Sequence, residues 1–322
     1  MTEMTGYQPS QKQIHLWKRC ADGAYVTAVV CVQASIPGPR LRQAIEELTD
    51  RHEALRTRLV CEPGMALPFQ IIEEDLVFAW GVHPAMSPAE ARDHSLLQPA
   101  GQYPLSATLY GDEGSERLLV LRMPALCADA HSMKVIVQDM SAMLSGGHLE
   151  EEPVQYLDYS EWQHELSGQS GSVAAHRFWK QRYETTPYQP GFAIREEMAF
   201  RQAGLEISWN GVLDEKGLLA RFAALLHLLE ASTTVSIACH FDSRVDASFL
   251  DAVGPFGEPA PVNFSFDAST NLALLDRQAA AMLSEARPFM PYHKEQAVSA
   301  CSGLVFQWQE LPSISGGLQL KR

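Results

Sequence analysis

The chain has 322 residues, a formal net charge of -14 at pH 7, 46% hydrophobic and 20% charged residues. That length suffices for one large domain or two lobes with a real core, and the composition is that of a soluble globular chain. The acidic balance argues against nucleic acid as a partner, because phosphate binding needs basic stripes.

The opening MTEMTGYQPSQKQ has no basic region followed by an apolar run, so no signal peptide is expected. No segment approaches the ~20 apolar residues of a membrane span. The longest candidate, 218–229, is broken by Arg221 and His227. A cytoplasmic location is expected.

Residues 10–20 read as a first helix, with Gln13, Leu16 and Trp17 on related faces. Residues 25–35 are β-branched and read as a strand, closed by the turn Pro37-Gly38-Pro39. Residues 40–52 form a helix with Leu41, Ala44, Ile45 and Leu48 on one face. Residues 57–60 and 69–72 are a strand pair around Glu62-Pro63-Gly64. A helix over 87–97 has Ser87 as its N-cap before Pro88. Strands 107–109 and 118–123 follow, then the segment PALCADAHS and a helix over 132–144 ended by Gly146-Gly147.

An acidic loop, 150–153, leads to helices 156–166 and 173–183. The Gly/Ser stretch between them, 167–172, is the best boundary in the chain and divides 1–170 from 171–322. The second part reads as strand 205–209, helix 214–230, strand 234–241, a Gly/Pro-rich crossing over 253–261, strand 262–266, helix 272–286 and a last strand around 303–309. The alternation defines an α/β (α+β) protein. Cys20, Cys31, Cys61, Cys127, Cys239 and Cys301 are scattered without metal-like spacing, so buried free thiols are expected and no metal site.

Several short patterns occur in a fixed order. They are Ser10-x-x-Gln13-x-x-Leu16-Trp17, Arg51-His52-Glu53-Ala54-Leu55-Arg56-Thr57, the central segment 124–130, and Tyr156-Leu157-Asp158-Tyr159-Ser160-Glu161-Trp162. Phe178-Trp179, Ser243-Arg244, Val253-Gly254-Pro255-Phe256 and Arg287-Pro288-Phe289 follow. Together they resemble the condensation domains of nonribosomal peptide synthetases, with His15 where that family has an arginine before Leu-Trp. The resemblance implies two chloramphenicol-acetyltransferase-like lobes in a V, with a tunnel between them. It also implies carrier proteins that bring phosphopantetheine-tethered acyl groups to the tunnel, and no cofactor bound directly. The second lobe is expected to be trimmed, since the chain stops soon after Phe306-Gln307-Trp308.

In condensation domains the central motif reads HHxxxDG, and its second histidine faces the reacting amine and thioester. A neutral imidazole suits that task near neutral pH. Here the segment is Pro124-Ala125-Leu126-Cys127-Ala128-Asp129-Ala130, and both histidines are gone. Heterocyclisation domains carry DxxxxDxxS, of which Asp129 and Ser132 are kept while Pro124 replaces the first aspartate. Pro124 and Ala125 thus mark positions where the reactive group is lost.

The family's motif aspartate pairs with an arginine on a second-lobe strand, so the resemblance implies a structural pair Asp129–Arg244. Two readings of function follow. The first is a non-catalytic domain that docks a carrier protein, a neighbouring synthetase domain or a tailoring enzyme. Family members with broken motifs include recruitment platforms of this kind. The alternative is an active condensation or heterocyclisation domain that uses Asp129, His131 or Ser132 in place of the missing histidine, since positioning tethered substrates supplies much of the rate. Cys127 as an acyl-accepting nucleophile is weighed against burial between Leu126 and Ala128, and burial is expected. A spacer or fragment of a larger synthetase is the third and blandest reading.

Overall fold

A computed structural model describes residues 6–19, 24–75, 78–98, 104–147, 149, 152–166, 168–169, 171–186, 214–294, 305–309 and 317–321. In chain order the elements are α1 (Gln11–Arg19), β1 (Tyr25–Val32), α2 (Gly38–Arg51), β2 (Thr57–Val60), β3 (Phe69–Ile72), β4 (Ala79–His83), α3 (Pro88–Leu97), β5 (Ser106–Tyr110), β6 (Arg117–Pro124) and α4 (Ala130–Leu144). They continue with α5 (Tyr156–Leu166), α6 (Gly171–Glu184), α7 (Glu215–Glu230), β7 (Thr234–Asp242), β8 (Gly257–Ser265), α8 (Leu272–Ala286), β9 (Val305–Phe306) and β10 (Leu318–Lys321). Short 3-10 turns occupy Glu53–Arg56, Ala247–Phe249 and Arg287–Tyr292.

Side-chain caps set the helix starts. The Ser10 hydroxyl accepts the Gln13 N–H (3.1 Å) and the Gln13 amide oxygen accepts the Ser10 N–H (2.9 Å), so the Ser-x-x-Gln pattern is a reciprocal cap on α1. Ser87 and Glu90 make the same arrangement on α3. Asp214 and Asn271 cap α7 and α8. The helix expected from residue 132 begins at Ala130, because Asp129 caps it.

The chain divides into two compact units, 1–165 with 246–256 and 309–322, and 166–245 with 257–308. The sequence division gave 246–256 and 309–322 to the second lobe. Their described residues group with the first unit, where β10 adds to the outer edge of β1 and Gly254 bonds to Ser132 of α4.

The first unit holds a five-stranded sheet of order β10-β1-β6-β5-β4, antiparallel except for the β4–β5 pair, and the hairpin β2–β3. Its central strands are buried on both faces, which explains their unbroken apolar runs. On one face Ala28, Val30, Val32, Leu119, Leu121 and Met123 meet α2 and α4 through Leu41, Ile45, Val137 and Met140. On the other, Val29, Cys31, Leu118 and Val120 meet Ala91 of α3 and Tyr110.

The second unit holds the sheet β8-β7-β9. Val235, Ile237, Cys239 and Phe241 of β7 pack on Leu219, Ala223 and Leu226 of α7 and Leu275, Ala279 and Leu283 of α8. The Gly/Pro crossing expected over 253–261 is strand from Gly257 onward, although it contains Pro259 and Pro261. Among the described residues β8 is an edge strand, and the Phe266 N–H bonds to the Thr233 carbonyl (2.8 Å). By alternation Glu258 and Ala260 also face β7, while both prolines turn their nitrogens outward, where no N–H is needed.

Strands β4 and β10 were not anticipated; their short sequences AWGVH and LQLK lack a β-branched run. The expected strand 205–209, Cys20 and Cys301 lie outside the described residues. Cys31, Cys127 and Cys239 are buried as expected, whereas Cys61 is exposed at the end of β2. Among the described residues no helix is long and apolar enough to cross a membrane, and no cluster of three or more His, Cys, Asp and Glu could hold a metal ion.

Candidate functional site

The central segment is the connection from β6 to α4 in the first unit. Pro124 is the last residue of β6, paired with Tyr25, and its carbonyl accepts the Cys127 N–H (2.9 Å) to close a tight turn. The Ala125 N–H bonds to the Ala24 carbonyl (2.8 Å). Ala125 is half-buried and its side chain is only a methyl group. A methyl neither accepts nor donates a proton.

Asp129 is the N-cap of α4, in extended backbone at φ -121°. Its Oδ1 accepts the Ser132 N–H (2.8 Å) and the Ser132 hydroxyl contacts the same oxygen at 2.8 Å. Its Oδ2 accepts the Phe256 N–H (3.1 Å). Ser132 is fully buried, and its Oγ also lies 3.0 Å from the Gly254 nitrogen and 2.9 Å from the Gly254 carbonyl. One hydroxyl thus accepts from Gly254 and shares its single proton between two oxygens. These bonds join the start of α4 to the 253–256 loop.

Gly254 is required there. A Cβ at that position would lie 1.9 Å from the Tyr156 ring. Tyr156 in turn donates to the Pro255 carbonyl (3.3 Å) and pairs with the Ser10 hydroxyl (2.7 Å). Tyr156, Tyr159, Phe249 and Phe256 form one aromatic cluster, with Tyr159 and Phe256 rings 4.5 Å apart.

The other motif residues converge on the same segment. Gln13 donates to the Gln70 side chain (2.9 Å) and to the Leu126 carbonyl (3.3 Å). Arg51 and His52 both reach Asp139 on α4, at 3.0 and 2.9 Å. Sequence reasoning passed over Asp139; its signal was a lone acid on the apolar helix AHSMKVIVQDMSAML. The Cys127 thiol donates to the Thr57 carbonyl (3.3 Å), and burial pushes it up to about 12. Cys127, Gln13, Glu53, Thr57, Gln70 and Tyr156 line a small cavity beneath the turn. Burial also raises the Glu53 carboxyl above its usual range.

His131, next to the cap, uses Nε2 to donate to the Leu250 carbonyl (3.0 Å). Arg244, in the second unit, has a fully buried side chain; its Nη1 lies 3.0 and 3.1 Å from the two carboxylate oxygens of Asp242. The structure therefore gathers Pro124, Ala125, Cys127, Asp129, His131 and Ser132 in one connection. Their polar groups brace backbone there.

The family model of the Condensation domain matches residues 8–190, more than half of the chain. The chain is 30% identical over 278 residues to the probable non-canonical nonribosomal peptide synthetase (NRPS) CymA of Salinispora arenicola (strain CNS-205). That match covers 76% of this chain and 4% of CymA. The starter condensation domain of rhizomide synthetase RzmA superimposes with a TM-score of 0.82 at 14% identity, over 98% of this chain and 82% of that one. The X-domain from teicoplanin biosynthesis gives 0.68 at 18% identity, over 90% and 72%. The fold is the chloramphenicol-acetyltransferase-like fold of condensation domains. The chain belongs to the condensation-domain family.

Proposed function

We propose that this chain is a condensation-like domain without peptide-bond chemistry. It serves a nonribosomal peptide assembly line by docking a carrier protein, with its phosphopantetheine, or by recruiting a neighbouring domain or tailoring enzyme. The observation that carries this reading is how the central segment is employed. Position 125 is a methyl, and the polar groups around it hold backbone in place. Asp129 and Ser132 cap and tether, Cys127 is a buried protonated thiol, and His131 braces the Leu250 carbonyl. A general base needs a lone pair within reach of the amine it deprotonates.

The same reading keeps Asp129 and Arg244 as a structural pair, as the resemblance implies. The support is positional. Asp129 stands in the central segment, and Arg244, with a fully buried side chain, follows β7 where the family carries its arginine. A double-mutant cycle on Asp129→Asn and Arg244→Gln is expected to give a coupling of about 1–3 kcal/mol in stability; additive effects would exclude the pair.

Titration calorimetry against the adjacent carrier and tailoring enzymes, alongside intact-protein mass spectrometry of loaded carriers, tests the function. Binding without product is expected. Product formation that His131→Ala abolishes in a folded protein overturns the reading in favour of an active domain.

A further inference from the structure

Among the described residues the sheet of the first unit ends on β4. The Ala79 N–H bonds to the Leu105 carbonyl (3.0 Å), and the His83 carbonyl accepts the Gly111 N–H (3.0 Å). Backbone groups alternate sides along a strand. Ala79, Gly81 and His83 therefore face β5, while the N–H and C=O of Trp80 and Val82 point away from the sheet. Among the described residues no strand pairs with that edge. Natural edges are blunted by lysine, proline, bulges or inward charges. The strand AWGVH has none of these, and Val82 is 61% exposed.

We propose that this edge pairs with β4 of a second copy of the chain, antiparallel, about a two-fold axis through Gly81. The register argues for it. The outward residues, Trp80 and Val82, stand symmetrically about Gly81. With Gly81 opposite its mate, Trp80 of each copy exchanges both backbone hydrogen bonds with Val82 of the other. The same register sets each Trp80 side chain beside a Val82, an aromatic–β-branched pair of the kind that stabilises antiparallel sheets. Charge permits it too. In a chain of net charge -14, the stretch 78–84 carries no Asp, Glu, Lys or Arg, so two copies meet there without like-charge contact. Pro84, the next residue of outward parity, lacks an N–H and ends the ladder. The contact is isologous and closes on itself, so it yields dimers and no fibres.

Sedimentation equilibrium of the full chain up to about 100 µM is expected to show a reversible dimer, the range suited to a small interface. Val82→Lys puts a charge on the edge and Val82→Pro removes an outward N–H. Each is expected to weaken association at least about tenfold, with circular dichroism confirming the fold. A cysteine scan checks the register, in a background with Cys20, Cys61 and Cys301 changed to Ser. Gly81→Cys is accommodated, since a Cβ there would meet Thr108 at 3.4 and 3.5 Å. Facing residues of a non-hydrogen-bonded pair lie about 4.5 Å apart at Cα, within disulfide reach. Gly81→Cys should therefore oxidise to a covalent dimer, and Val82→Cys, which faces Trp80, should not. A chain that stays monomeric overturns the proposal, including one whose edge accepts only a strand of another protein. A dimer indifferent to both Val82 variants, or one that cross-links through Val82→Cys and not Gly81→Cys, also overturns it.

Discussion

Removing the Ser132 hydroxyl separates a structural role for the central segment from a chemical one. In Ser132→Ala the buried Gly254 N–H loses its acceptor, and the Asp129 N–H loses its contact to Oγ at 3.3 Å. The Gly254 carbonyl and Asp129 Oδ1 also lose a shared donor. A buried donor left without a partner costs about 1–3 kcal/mol, and weakening a reciprocal cap adds about 1 kcal/mol. The sum is a destabilisation of about 2–4 kcal/mol, in a residue with no exposed surface. Urea denaturation followed by tryptophan fluorescence reads it, with the m-value checking that the unfolded state is unchanged. Ser132→Thr is a poor control, because a methyl would have to fit the same buried site; Ser132→Cys, which keeps a weak donor, should fall between Ala and the native residue. A Ser132→Ala protein within about 0.5 kcal/mol of the native chain would refute the tether between α4 and the 253–256 loop.

Gly254→Ala is expected to lose more than about 2 kcal/mol, because its Cβ would fall 1.9 Å from the Tyr156 ring; adding Tyr156→Leu should recover part of that loss, a non-additivity visible in thermal melts. Asp139→Ala leaves Arg51 and the buried His52 without their shared carboxylate and should cost about 3 kcal/mol by the same denaturation assay. The Cys127 thiol, held near 12, stays protonated in the native state while its unfolded counterpart ionises near 9, so its contribution to stability is whole below pH 9 and is lost as pH rises from there toward 12. Cys127→Ala should flatten that alkaline limb of the stability profile. In the native chain at mildly alkaline pH, iodoacetamide should label Cys61 and spare Cys127, which peptide mapping would show.

Much of the local structure was readable residue by residue. Ser87 was legible as a cap because a cap depends only on groups three residues apart; Ser10-x-x-Gln13 and Asp129-x-x-Ser132 have the same spacing, yet only the structure showed them to be caps. The apolar runs of β1 and β6 announced strands, and the structure shows them buried on both faces. That Pro124 and Ala125 carry no titratable group is read from the sequence alone; that they stand at the motif's histidine positions is what the resemblance implies.

Other features needed partners that no local window contains. The Ser132 hydroxyl is a tether because Gly254, 122 positions away, lies against it. Gly254 must be glycine because of Tyr156, and Asp139 matters because Arg51 and His52 converge on it. Pro259 and Pro261 sit in a strand because their nitrogens point away from β7, and β10 is a strand because β1 offers it a ladder. Spacing along the chain specifies which groups one turn of backbone brings together. Which distant groups share a low-dielectric interior, and so which polar atoms are already committed, is settled only when the tertiary structure forms.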